Sequence, residues 1–138
     1  MKSSTYTTLT DLITGKTTIG DPWEILMSDI CTGMDWDKTK EAYPTATEAT
    51  LEVIIYKKPR MYACFSLPKV EHVYELLLAQ DINPGIFAWC LLYYVIKESN
   101  IDVTVPTATL HTIEDDNGQR LFNTCMKKIQ EMLEIFYD

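Results

Sequence analysis

Histidine, basic charge, paired cysteines and long apolar runs are all scarce in this chain, and each scarcity removes a class of function. There are two histidines in 138 residues, His72 and His111. Each stands three positions before a glutamate, in His72-Val-Tyr-Glu75 and His111-Thr-Ile-Glu114. One helical turn brings such a pair to the same side. A carboxylate-bridged metal site needs further ligands projecting from other helices, and the pattern offers none, so no metal ligand is assigned. Twelve Lys and Arg face twenty Asp and Glu, a formal charge of −8. Binding a phosphate backbone depends on basic neutralisation, so nucleic acid is not the expected partner.

Nothing approaches the roughly 20 apolar residues of a membrane-spanning helix. The start, MKSSTYTTLT, lacks the uninterrupted apolar segment of a signal peptide. The expectation is a cytoplasmic chain without membrane contact. The four cysteines, Cys31, Cys64, Cys90 and Cys125, allow three pairings as disulfides but contain no CxxC. Cys90 lies inside WCLL and Cys64 between Ala63 and Phe65, surroundings that suit reduced, packed thiols. Cys64 is the best-placed nucleophile, with His72 as a base two helical turns on, yet its neighbours read as packing. HExxH and GxSxG are missing. The GKT at 15–17 lacks the glycine that opens a phosphate-cradling loop. No catalytic or cofactor-binding residue is assigned and no cofactor is expected.

What the chain does have is a helix with no polar face. Residues 83–98 read NPGIFAWCLLYYVIKE, with Asn83 as N-cap, Pro84 at the first helical position and eleven residues without charge from Ile86 to Ile96. Such a helix is enclosed by other elements. The expected fold is therefore mainly α: one compact helical domain over residues 21–138, with five or six helices around this central one.

Residues 1–20, rich in Thr, read as a loosely ordered arm with one turn of helix. Asp21, Pro22 and Glu24 open the first firm helix, with Trp23, Leu26, Met27 and Ile30 inward and Gly33 at its end. A second short helix is expected over 35–43, closed by Pro44. Residues 46–58 favour a helix, but VIIY and MYACF around KKPR also read as a small β-hairpin, which leaves α+β as the alternative class. Residues 68–79 give Val70, Val73, Tyr74, Leu77 and Leu78 at helical spacing. IDVTVPTATLHTI reads as an extended segment, EDDNG as an acidic turn, and 117–137 as the last helix. Its apolar stripe runs from Phe122 through Cys125, Met126, Ile129, Met132 and Leu133 to Phe136.

The segment INPGIFAWCLLYYVIKESNIDVTVPTATLH resembles, in a general way, the helical N-terminal domain of arthropod hemocyanins and hexamerins. The resemblance covers about 30 of the 138 residues. The histidines of that family's copper-binding domain are not in this chain, and no function is carried over.

Two surfaces are candidates for contact. Between Asp21 and Glu52 there are eight acids and two bases, Lys38 and Lys40. Asp35, Trp36, Asp37 and Tyr43 lie in this stretch, and aromatic anchors rimmed by charge suit a protein interface. Trp23 is assigned to the core instead. The second surface is basic: Lys57, Lys58, Arg60 and Lys69 with Tyr62 among them, where aromatic–basic interleaving over 56–69 also suits single-stranded nucleic acid. The expected function is a non-enzymatic interaction module: an acidic inhibitor, adaptor or assembly factor, of the kind microbes and viruses encode, that binds another protein's basic surface. A homo-oligomer is compatible with this. The alternatives are a small metal- or cysteine-dependent enzyme and a single-stranded nucleic-acid binder.

Overall fold

The computed structural model describes residues 1–33, 74–75, 77–78, 81–99 and 102–137. The protein is mainly helical and compact, and no strand occurs among the described residues. Its helices are α1 (Ser3–Thr14), α2 (Pro22–Gly33), α3 (Pro84–Ser99), α4 (Leu110–Glu114) and α5 (Gln119–Tyr137). A tight turn, Asp115–Gly118, joins the last two.

The core is built around α3. Ile86, Phe87, Ala88 and Cys90 are fully buried, and Leu91 and Leu92 nearly so. Tyr93 and Tyr94 are half-buried, so the two tyrosines give this helix its partly open side. Asn83 caps it as expected: its Oδ1 accepts from the Ile86 N–H at 3.1 Å, while its Nδ2 donates to the Ile113 carbonyl at 3.0 Å. One side chain thus starts α3 and pins α4.

The longest packed face of α3 meets α5. Phe122, Cys125, Met126, Ile129 and Met132 of the expected stripe are all buried, as is Leu121 before it; the side chains of Leu133 and Phe136 lie outside the described residues. The two N-terminal ends cross at Gly85 and Gly118. A Cβ placed on Gly85 would sit 2.7 Å from the Gly118 carbonyl oxygen, so the backbones touch there. The helix begins at Gln119, not 117, because Asp116 and Asn117 adopt left-handed backbone angles (φ 48° and 56°) and Gly118 continues them at φ 76°.

α2 opens on the expected cap. Asp21 Oδ1 accepts from the N–H groups of Trp23 (3.1 Å) and Glu24 (3.2 Å). Its Oδ2 meets Lys97 Nζ at 2.7 Å, which ties the start of α2 to the end of α3. Trp23 stacks on Tyr94 with ring centroids 5.1 Å apart, and Leu26 is fully buried.

Two expectations are corrected. Residues 3–14 form about three turns of helix where one turn in a loose arm was expected. Threonine lowers helix propensity, but Leu9 and Ile13 lie one turn apart and are completely buried, so tertiary packing decides. Lys2 offers no side-chain acceptor at the N-terminus, and Asp29 of α2 supplies one by accepting from the Lys2 N–H at 3.3 Å. The helix ends at Gly15, which takes the left-handed cap conformation.

The second correction concerns the Thr- and Val-rich segment. Residues 102–109 are extended, but Leu110–Glu114 turn into α4. Thr109 is the reason, since its side chain accepts from the Thr112 N–H. The extended strap is held at two points. Trp89 Nε1 donates to the Pro106 carbonyl at 2.8 Å, and the Ala108 N–H donates to the Ile13 carbonyl at 2.9 Å.

Of the helix expected over 68–79, Tyr74, Glu75, Leu77 and Leu78 are described and helical. Leu77 is buried and Tyr74 packs on Phe122, whereas Leu78, expected inward, is partly exposed. Asp81 ends the segment in a left-handed conformation, with its N–H on the Leu78 carbonyl and the Ile82 N–H on that of Leu77. The short helix at 35–43 and the helix-or-hairpin alternative at 46–66 lie outside the described residues.

Candidate functional site

Both nominated surfaces, Asp35, Trp36, Asp37 and Tyr43 on one side and Lys57, Lys58, Arg60 and Tyr62 on the other, lie outside the described residues. Their setting comes from the flanks. The acidic stretch begins at Asp21, where the cap and the Lys97 ion pair anchor it to the core. Trp23, its first aromatic, is buried between Tyr94 and Phe87, as its assignment to the core required. That leaves Trp36 and Tyr43 as the aromatic candidates of the acidic surface.

The chemistry-bearing residues separate in the same way. Glu75 is exposed, and its companions His72 and Cys64 are outside the described residues. His111 is exposed on α4, and Glu114, three positions on, accepts from the Tyr6 hydroxyl at 3.3 Å. Burial and then the Glu114 carboxylate push the Tyr6 phenol above its ordinary range. Among the described residues, no three His, Cys, Asp or Glu side chains gather as metal ligands. Cys90 and Cys125 are buried free thiols. Burial, then the neighbouring Cys125, drives the Cys90 thiol far up, and burial pushes Cys125 up to about 12. Neither forms a thiolate at neutral pH, so neither is a nucleophile in the folded state.

One feature was not foreseen from sequence. An open cavity of about 380 Å³ lies where the start of α1 meets the turn before α3 and the turn before α5. Met1, Ser3, Tyr6 and Thr7 form one wall; Leu78, Asp81, Ile82, Asn83 and Asn117 form the other. Most of its polar groups are already engaged in holding the fold. The Met1 ammonium donates to the Asp81 carbonyl at 3.0 Å, the Thr7 hydroxyl to the Ser3 carbonyl, and both ends of the Asn83 amide are bonded. Among the described lining residues there is no pairing of nucleophile with base. What could have flagged it is the left-handed turn chemistry of Asp81 and of Asp116-Asn117-Gly118, which places two polar turns against one helix end.

Compared with protein-family models, with curated proteins and with solved structures, the chain matches none.

Proposed function

We propose that the protein is a non-enzymatic interaction module: an acidic inhibitor, adaptor or assembly factor that binds a basic surface of another protein. The observation that carries this reading is the charge of −8 together with its concentration, eight acids against two bases, between Asp21 and Glu52. The supporting structural fact is that Trp23 is committed to the core, so the acidic stretch extends from a rigid anchor toward Trp36 and Tyr43. In an interface of this kind the aromatic side chains supply most of the affinity. The carboxylates accelerate encounter and select a partner of opposite charge.

The test is quantitative capture of binding proteins by the parent chain and by two variants, Asp35→Lys/Asp37→Lys and Trp36→Ala. The proposal expects all three chains to fold, the parent to capture a specific partner and both variants to capture less of it. Stopped-flow association should then be slower for the charge-reversed chain, and added salt should narrow the gap. Equal association rates for parent and charge-reversed chain at low salt would remove this surface from the interface.

A further inference from the structure

We propose that Asn117 is a modification site: its amide is protected from deamidation by the folded turn and reacts when the α3–α5 crossing opens, after which the chain cannot close normally. The chain contains four asparagines, and Asn117 alone is followed by glycine. The reaction needs the backbone nitrogen of the following residue to attack the asparagine Cγ, and an unbranched glycine leaves that path open. Asn83 precedes Pro84, whose nitrogen has no hydrogen to lose. Asn100 and Asn123 precede the β-branched Ile101 and Thr124.

The chemistry is self-contained. The Gly118 nitrogen forms a bond to Cγ, the Cγ–Nδ2 bond breaks, and the side-chain nitrogen leaves as ammonia carrying the amide proton. Water then opens the five-membered imide. Attack at one carbonyl yields aspartate; attack at the other yields isoaspartate, whose main chain runs through Cβ and is one carbon longer. Asn117 is exposed, so water and hydroxide reach it.

The folded geometry opposes the first step. At ψ 29° the Gly118 nitrogen stands nearly opposite Cβ across the Cα–C bond, so it faces away from the carbon it must attack. Cyclisation requires that bond to swing round by a large angle. Gly118 cannot follow such a swing in place. A Cβ on Gly118 would lie 2.5 Å from Asn83 Oδ1 and 2.9 Å from the Gly85 Cα, so there is no space around it even for a methyl group. Reaction therefore requires the turn to leave the α3 N-terminus. The same contact makes the isoaspartate product incompatible with reclosure, because its extra main-chain carbon must fit beside the close approach of the Gly85 and Gly118 backbones. The aspartate product keeps the original chain length and adds only charge beside Asp115 and Asp116.

The experiment incubates the full chain, folded and in denaturant, at the same mildly alkaline pH, with peptide mapping by mass spectrometry and an assay that separates aspartate from isoaspartate. Asn117→Gln, which disfavours ring closure, is the control for other sites. The expected result is that Asn117 reacts at least roughly tenfold more slowly in the folded chain, the ratio reporting the free energy of local opening. Returned to native buffer, the isoaspartate chains should melt well below the aspartate chains, and the Asn117→Asp variant should track the latter. Equal rates in folded and denatured chain overturn the protection. Equal Tm for the two products overturns the claim that the lengthened backbone blocks reclosure.

Discussion

Gly85 and Gly118 carry a demand that no other residue type meets. At Gly85 the obstacle is purely spatial: the backbone angles are ordinary, but an added Cβ meets the Gly118 carbonyl oxygen at 2.7 Å and Cα at 2.9 Å. These are backbone atoms and cannot rotate aside. At Gly118 the same crowding is joined by a φ of +76°, which side chains rarely adopt. Gly85→Ala is expected to cost about 1–3 kcal/mol through overpacking, and Gly118→Ala more, since left-handed strain adds to the clash. Denaturant unfolding of both variants measures this. A Gly85→Ala chain as stable as the parent would mean that α3 and α5 do not cross in contact there. In the sequence Gly85 is only the second residue of a helix that starts on proline. Its real constraint comes from an element more than thirty positions away, which local pattern cannot reveal.

At the scale of elements, the strap at 102–109 depends on bonds from other elements. Its extended residues are mostly exposed, and the two bonds that hold it come from Trp89 and to Ile13. Trp89→Phe retains the buried ring but removes the donor. It should lower stability by about 0.5–1.5 kcal/mol and speed cleavage of the strap in limited proteolysis. Unchanged cleavage would show that the Ala108–Ile13 bond suffices. The elements that could be read from sequence are those whose signals are local. The Asn83-Pro84 start of α3, the Asp21 cap of α2 and the apolar stripe of α5 stand where propensity and periodicity put them. α1 and α4 were not legible for a physical reason. α1 is threonine-rich and gets its N-terminal acceptor from Asp29 of another helix. α4 has one turn, set by the Thr109 cap in a sequence whose β-branched residues favour extension.

For the molecule as a whole, the buried thiols bind stability to pH. Each holds its proton more tightly folded than unfolded, so the folded state has more bound protons once pH passes the ordinary thiol value of 9.0. Their contribution to stability is level below that pH and falls between 9.0 and about 12, the window set by Cys125. The slope per thiol is at most about 1.4 kcal/mol per pH unit. The phenols of Tyr6 and Tyr74, raised first by burial, act in the same direction at higher pH. Denaturant titrations across this range check the sign, and a thiol reagent should label Cys90 and Cys125 only as fast as the fold opens. A flat profile to pH 12 would contradict the enclosure of α3. The candidate site was less legible than the core for the opposite reason to α1. Acidic residues and tryptophans announce a surface by composition, but which tryptophan faces inward is decided by packing. Trp23 was legible as core because helical spacing puts it on one face with Leu26, and Tyr94 and Phe87 do pack against it.

The bonds of α1 also impose an order on biosynthesis. The Tyr6 hydroxyl reaches Glu114 across 108 positions, and the Met1 ammonium reaches Asp81 across 80. α1 therefore meets its Glu114 acceptor only after about a hundred further residues have been translated. At usual elongation rates that interval is on the order of ten seconds. α2 is the first element able to meet α1, through Asp29, and the burial of Leu9 and Ile13 is completed only as α3 and α4 follow.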